Sequence, residues 1–292
     1  MHQTVRQAPA KLNLTLEVVG KRADGYHLLD SLIAFTDYGD TLTASAADTL
    51  SLTLDGPFGG ILVGDSMENL VLKAARLLAA EAGIAPGAAL ALTKRLPVAS
   101  GIGGGSSDAA ATLMALCELW NLSPTLEDLT RLALTLGADV PVCLAQRTAR
   151  LEGIGERITT APSVPAAPIV LVNPGVGLPT PKVFQARQGE FSTGAGPAGV
   201  LAGSPADAAA LADAIRPYAN DLAAPAVNLL PVIGQVLSRL EATEACLIAR
   251  MSGSGATCFA LFPTDEAATA AAAAISAARP KWWAIATRLK AA

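Results

Sequence analysis

Pro97-Val98-Ala99-Ser100-Gly101-Ile102-Gly103-Gly104-Gly105-Ser106-Ser107-Asp108 is the stretch on which the reading of this 292-residue chain turns. Four glycines fall within the five positions 101–105, two serines follow, and a helical composition runs from about Ala109 to Trp120. A glycine backbone carries no Cβ, so its amides can approach an anion closely. A helix N-terminus adds unpaired N–H groups and partial positive charge. The hydroxyls of Ser106 and Ser107 can donate further bonds or reach a bound Mg²⁺. Taken alone, the segment is either an anion cradle or a flexible turn. Two familiar phosphate loops do not fit it. A Walker A loop ends in Gly-Lys-Ser/Thr, whereas Gly105 is followed by Ser106 and the loop holds no lysine. The dinucleotide fingerprint Gly-x-Gly-x-x-Gly fails at its last spacing in Gly101-Ile102-Gly103-Gly104-Gly105.

Upstream, Leu12, Leu14, Leu16 and Val18 alternate with Asn13, Thr15 and Glu17, which predicts a half-buried strand. Lys11 belongs to its polar face, where solvation is the ordinary fate of a lysine. Thr41 to Ser45 and Leu50 to Leu54 predict a strand pair around Ala46-Ala47-Asp48-Thr49. Asn69 to Ala82 predicts a helix stopped by Gly83, and Ala89 to Thr93 a short strand. Downstream, Thr125 with Asp128 predicts a capped helix ending at Gly137. Pro141 suits the first turn of another helix, with Asp139 just before it as an ordinary helix-start carboxylate or something more. Ile169 to Val172 predicts a buried strand and Thr180 to Ala186 a short helix.

Gly189 to Gly203, rich in Gly, Ala, Ser and Pro, predicts a mobile loop. Helices follow near Pro205 to Ile215 and Leu222 to Leu240, the second broken at Pro225 or Pro231. The last third predicts strand, Gly-rich turn, strand, helix and strand over 245–249, 251–255, 257–262, 265–278 and 282–287. The turn Ser252-Gly253-Ser254-Gly255-Ala256-Thr257 is a tight hairpin or, beside a phosphate loop, a second wall of the same site. The length suggests two domains or one large one, and a boundary is expected around residues 150 to 165, dividing the chain into 1–155 and 156–292.

Composition excludes more than it identifies. With 51% apolar and 16% charged residues the chain is not disordered. Its 21 Lys+Arg against 25 Asp+Glu give a net charge of −4, without the basic excess of a general nucleic-acid binder. No run approaches the 18–20 uninterrupted apolar residues of a membrane span. The longest candidate, Ala267 to Ala278, contains Thr269 and Ser276 and predicts a helix packed closely on a sheet. Met1-His2-Gln3-Thr4-Val5-Arg6 leads into no apolar segment of a secretory signal, so a soluble, cytoplasmic protein is expected. Cys117, Cys143, Cys246 and Cys258 lack CxxC spacing and predict small buried hydrophobes. The two histidines, His2 and His27, exclude a multi-histidine metal centre. Tyr26-His27 follows a Gly-containing turn, as a structural pair or as one that stacks on and reads a base.

In order along the chain, five segments together resemble the GHMP kinases. They are Pro9-Ala10-Lys11-Leu12-Asn13-Leu14, Arg22-Ala23-Asp24-Gly25-Tyr26-His27, Leu96-Pro97 through Asp108-Ala109-Ala110, Gly137-Ala138-Asp139-Val140-Pro141 and Met251-Ser252-Gly253-Ser254-Gly255. The likeness runs from about Ala8 to Phe262. Within the superfamily, Gly25-Tyr26-His27 and Lys94-Arg95-Leu96-Pro97 are similar to the branch acting on a cytidyl-diphosphate-linked polyol in non-mevalonate isoprenoid precursor biosynthesis.

The resemblance implies an α+β chain of two α/β domains with the active site in the cleft between them, and transfer of the ATP γ-phosphoryl group to the polyol's 2-hydroxyl. It implies ATP as co-substrate, Mg²⁺ beside it, and no nucleic-acid or membrane partner. Asp139 would lie beside the acceptor hydroxyl, and Lys11 would hold Asp139 ionised, as a cation within about 4–6 Å does to a carboxylate. Gly101, Ile102, Gly103, Gly104, Gly105, Ser106 and Ser107 would hold the ATP phosphates, with Pro97, Val98, Ala99 and Ser100 also in the ATP site and Asn69 and Lys94 near the nucleoside. Tyr26, His27 and Phe184 would form the cytidine pocket, and Asn13 and Thr180 would meet the diphosphate or the polyol hydroxyls. A homoserine- or mevalonate-type kinase and a non-catalytic nucleotide-binding relative are the alternatives. Tyr26-His27 speaks against the first, and the presence of both Lys11 and Asp139 against the second.

Overall fold

A computed structural model describes residues 3–62, 69–195 and 199–291. Its first elements are β1 (Gln3–Asn13), β2 (Glu17–Lys21), β3 (His27–Ala46), β4 (Ser51–Asp55), a 3-10 turn (Gly59–Leu62), α1 (Leu70–Ala82), β5 (Ala88–Thr93) and α2 (Gly104–Leu119). Then come α3 (Leu126–Leu136), α4 (Val140–Ala145), β6 (Ala149–Gly153), β7 (Arg157–Thr160), β8 (Pro168–Asn173), α5 (Thr180–Ala186) and α6 (Ala208–Ile215). The chain finishes with α7 (Ala223–Leu229), α8 (Val232–Glu241), β9 (Ile248–Met251), β10 (Cys258–Leu261), α9 (Asp265–Ala278) and β11 (Trp283–Arg288). Helices and strands are mixed throughout, as an α+β chain requires. Among the described residues no helix is long and apolar enough to cross a membrane.

The chain forms two compact units, each assembled from separate segments. The first comprises Met1–Ala10, Gly39–Val98 and Gly103–Gln146, and the second Lys11–Tyr38, Ala99–Ile102 and Arg147–Ala292. A cut at 155/156 falls inside the second unit. Around the expected boundary the structure instead has the hairpin β6–β7, paired Ala149↔Thr160 to Glu152↔Arg157. Every residue of β7 is exposed, so it carries no apolar alternation by which the sequence could announce it.

In the first unit, the end of β3 pairs antiparallel with β5 from Thr41↔Thr93 to Ala46↔Ala88, and β4 pairs parallel with β5 from Ser51↔Ala89 to Asp55↔Thr93. The expected pairing of 41–45 with 50–54 is therefore incorrect: β5 lies between the two strands. The link from β3 to β4 passes over the start of β5 so closely that a Cβ on Gly87 would stand 2.4 Å from the Ala47 carbonyl oxygen. Asn69 caps α1 by accepting from the Val71 amide, and Gly83 ends it at φ 65°. Thr125 and Asp128 form the expected capping box of α3. Helix α2, against which α1, α3 and α4 pack, buries Ala109, Ala110, Ala111, Leu113, Ala115 and Leu116 completely. A helix apolar on all sides is one enclosed by neighbours, and alanine lets them come close.

In the second unit, the four-stranded sheet has the order β11-β8-β10-β9, all antiparallel. Helix α9 packs on β8 and β11 through Ala268, Ala271, Ala272 and Ile275, the close helix-on-sheet packing that its alanines predict. Val170, Val172, Ile233, Val236, Leu240 and Phe262 fill the same core. The 222–240 helix is broken at Leu230-Pro231, while Pro225 sits harmlessly in the first turn of α7. Cys143 and Cys258 are buried, Cys117 and Cys246 half-buried, and all four are free thiols.

The 189–203 stretch is held at Ser192 and Ala195; its residues 196–198 lie outside the described residues. The Ser192 amide donates to the Val18 carbonyl at 3.0 Å, the Ser192 hydroxyl to Asp221 at 2.7 Å, and the Ala195 amide to Asp30 at 2.8 Å. Composition predicts mobility here because it registers small residues and not their partners.

Within β3, a Cβ on Gly39 would stand 2.3 Å from the Ala8 carbonyl oxygen and 2.5 Å from Pro9 Cα. Backbone atoms cannot swing aside as a side chain does. Gly39→Ala is expected to lower stability by about 1–3 kcal/mol, read as a lower urea midpoint at unchanged slope. An unchanged midpoint would contradict this close strand approach.

Candidate active site

Helix α2 begins five residues earlier than the sequence predicts, at Gly104 rather than Ala109. Gly104, Gly105, Ser106 and Ser107 are thus its first turn, preceded by Gly103 in the left-handed region at φ 64°. Glycine is unfavourable in a helix interior by about 1 kcal/mol, which is why the composition points to a later start. The Ser107 amide already donates to the Gly103 carbonyl at 2.9 Å, whereas the amides of 104–106 precede the first intrahelical bond and have no i−4 partner in any case. Gly103 has no side chain with which to cap them. The N–H groups of this helix end are consequently available to an anion.

The serines divide in role. Ser107 is buried, and its hydroxyl donates to the Pro9 carbonyl at 2.6 Å, fixing α2 to β1 rather than facing a ligand. Ser106 remains partly exposed. Beneath the turn, Lys94 lies 2% exposed with its ammonium bonded to both Asp40 and Asp108, the latter at 2.6 Å. Burial alone would lower the Lys94 pKa, but Asp108 and Asp40 outweigh it and hold it raised. Burial pushes the Asp108 carboxyl up, against the pull of Lys94. The Lys94 charge is thus taken up inside the unit. Asn69 caps α1, as described above.

In the second unit, the polar face of the early strand is not solvated. Lys11, Asn13 and Thr15 are all buried, 4%, 5% and 1% exposed. The strand breaks after Asn13, and its polar groups are satisfied internally. Asn13 Nδ2 donates to Ser31 Oγ at 2.8 Å, and the Leu32 amide donates to Thr15 Oγ1 at 3.1 Å. Alternation predicts two faces but not what covers each.

The first part of the glycine loop is held between this strand and the second Gly-rich turn. The Lys11 amide donates to the Ile102 carbonyl at 2.9 Å, and the Thr257 amide to the Ser100 carbonyl at 3.1 Å. Ser252 Oγ donates to the Gly101 carbonyl at 3.0 Å and accepts from the Asn13 amide at 3.1 Å. The second turn closes the β9–β10 hairpin and packs on the loop. Asn220, which no sequence signal singles out, donates to the carbonyls of Met251 and Gly253 and fixes that turn. Thr180 joins it through a 2.7 Å hydroxyl–hydroxyl bond to Ser254.

Elsewhere in this unit, the rings of His27 and Phe184 stack at 5.1 Å between centroids and 25° between planes. His27 opens β3 opposite Lys21 on β2, and Phe184 lies on α5. Burial, then Lys21 and Arg187, lower the His27 pKa, so the imidazole is neutral at pH 7. Tyr26, the third residue of the expected base pocket, is 61% exposed.

Asp139 belongs to the first unit and Lys11 to the second. Asp139 directly precedes α4, but its side chain makes no capping bond to that helix.

Gly101 has φ +76°, and a Cβ there would lie 2.6 Å from the Gly255 carbonyl oxygen and 2.7 Å from that of Ser252. Gly101→Ala is expected to lose about 1–3 kcal/mol through strain and overlap combined. A melting temperature equal to the parent's would show that the two turns are not locked together.

Residues 69–147 match the family model for the GHMP kinases N terminal domain and residues 217–281 the model for the GHMP kinases C terminal domain. A 4-diphosphocytidyl-2-C-methyl-D-erythritol kinase of Paramagnetospirillum magneticum is 56% identical over 277 residues, 95% of this chain and 95% of its own. Another from Rhodospirillum rubrum is 50% identical over 98% of this chain and 92% of its own. A crystal structure of 4-(cytidine 5'-diphospho)-2C-methyl-D-erythritol kinase superposes with a TM-score of 0.83 at 36% identity, covering 99% of this chain and 100% of that one. Likeness of this extent, on a chain with a bare glycine helix start and a loop held against a second turn, leaves one placement: the chain belongs to the GHMP kinases and, within them, to the 4-diphosphocytidyl-2-C-methyl-D-erythritol kinase family.

Proposed function

We infer that the chain is an ATP-dependent kinase that phosphorylates the 2-hydroxyl of 4-diphosphocytidyl-2-C-methyl-D-erythritol, in the non-mevalonate route to isoprenoid precursors. The observation that carries this is end-to-end identity of 50–56% with kinases of that name. The uncapped glycine start of α2 supports the phosphate-binding part. The His27–Phe184 stack supports a base-bearing acceptor, since homoserine and mevalonate carry no ring for it to receive.

Phosphoryl transfer depends on positioning and charge more than on covalent chemistry. The amides of 101–107 bind the ATP phosphates, with Pro97 to Ser100 shaping the approach and Asn69 and Lys94 supporting the nucleoside side through the elements they fix. Asp139 orients the acceptor hydroxyl, whose oxygen attacks the γ-phosphorus as ADP departs. Lys11 offsets charge on the transferring group. Tyr26 stacks on the cytosine beside the His27–Phe184 pair, and neutral His27 has both a donor and an acceptor nitrogen for the base's polar edge. Asn13 and Thr180 meet the diphosphate or the polyol hydroxyls.

Mg²⁺ fits a resident protein cage poorly. Among the described residues no group of three or more His, Cys, Asp or Glu side chains could hold a metal, and the Ser107 hydroxyl is engaged with Pro9. Mg²⁺ commonly binds through substrate phosphates with few protein ligands. We propose that it arrives on ATP, and no step here is routed through it.

Asp139→Asn is expected to cut turnover about 100-fold or more while leaving ATP affinity unchanged, measured by coupled ADP release and nucleotide titration. Parental turnover would remove Asp139 from the reaction. Tyr26→Ala is expected to raise KM for the cytidyl acceptor about 5- to 100-fold, the equivalent of a lost base stack, with KM for ATP unchanged. Equal effects on both substrates would take Tyr26 out of the base pocket, and turnover of mevalonate or homoserine alone would reject the acceptor assignment.

A further inference from the structure

The Asp40 and Asp108 carboxylates beneath α2 have no part in the chemistry above, yet through Lys94 their bonds converge on the two ends of one segment. Asp40, on β3, accepts through Oδ1 from the amides of Arg95 at 2.5 Å and Leu96 at 2.8 Å, and through Oδ2 from the Lys94 ammonium. Lys94 then reaches Asp108, on α2, at 2.6 Å. Its main chain is fixed independently: its amide donates to the Asp55 carbonyl at 2.7 Å, and its carbonyl accepts from the Phe58 amide at 3.1 Å. The Lys94 ammonium lies so near the helix start that a Cβ on Gly104 would be 3.1 Å from Nζ. Residues 94–96 lead into the glycine loop, and 104–108 lead out of it.

Stability does not account for this arrangement. The side chains of Lys94, Asp40 and Asp108 are 3%, 0% and 4% exposed, and a buried ion cluster rarely stabilises a fold more than apolar groups of the same volume would. Asp108 Oδ1 is moreover buried without a hydrogen-bond partner among the described residues, which is unfavourable in itself. What charged, hydrogen-bonded groups supply and apolar ones do not is direction.

We propose that Asp40, Lys94 and Asp108 are positioning residues for the nucleotide site: together they clasp the two ends of the glycine loop and set the angle at which the first amides of α2 meet the phosphates. This rests on the nucleotide reading of the loop. The clasp touches no substrate, so its loss should appear in ATP affinity rather than in acceptor affinity or in the chemical step.

The test uses the full chain with Asp108→Ala, which leaves Lys94 and Asp40 as a neutral pair, Asp108→Leu, which fills the vacated volume, and Asp108→Asn, which restores an acceptor. Asp108→Ala and Asp108→Leu are expected to raise KM for ATP about tenfold, with kcat and KM for the cytidyl acceptor within about twofold of the parent, and Asp108→Asn to recover most of the loss. Should Asp108→Ala fail to fold, Asp108→Leu carries the same expectation. Parental KM for ATP in either folded variant, or an equal rise in both KM values, overturns the clasp. Hydrogen exchange of the parent with and without ATP separates this from the underlying reading. Protection of the 101–107 amides by ATP is expected; its absence rejects the loop as the nucleotide site, and the clasp with it.

Discussion

A helix that starts on glycine leaves its first amides uncovered, and much of the first unit is arranged around the start of α2. Gly103 turns the chain into it through a left-handed conformation. Ser107 ties it to β1, Lys94 with Asp40 and Asp108 secures it from below, and enclosed alanines hold the rest of the helix among α1, α3 and α4. A capping serine or aspartate in place of Gly103 would have stabilised such a helix by roughly a few tenths of a kcal/mol. Its omission is consistent with an end reserved for a polyanion.

The second unit solves a related problem by backbone contact. Gly101 and the turn 252–255 approach to distances that a Cβ on Gly101 would forbid, and the contact is completed by Ser252, Asn220 and the Lys11 amide. Glycine serves different ends at the two places. At 104 it leaves room for the Lys94 ammonium, 3.1 Å from where a Cβ would stand, and at 101 for the backbone of the facing turn. The composition of the loop does not distinguish these uses.

Net charge and aromatic content acquire meaning only beside such local detail. A chain of net charge −4 can belong to a family of ATP-dependent kinases because an anion site needs a handful of oriented dipoles and one or two cations, not a basic surface. Of three tyrosines and six phenylalanines, Phe184 is the one that meets His27. The abundant alanines set how closely helices pack and bear on nothing chemical.

The sequence by itself determined the helices with caps and stops, such as Asn69 to Gly83 and Thr125 to Gly137, because those signals are local. It also identified the family, because several motifs recur in a fixed order. Only the tertiary structure decided that β5 separates β3 from β4, since alternation marks a strand without naming its partner. It decided that Lys11, Asn13 and Thr15 are buried, since one strand's pattern says nothing of what covers its polar face. It placed the start of α2 five residues early, where unpaired amides remove most of glycine's disadvantage, and it made the Lys94 ammonium an internal counter-ion. Asp40 lies 54 residues from Lys94, and only folding brings its carboxylate to that ammonium.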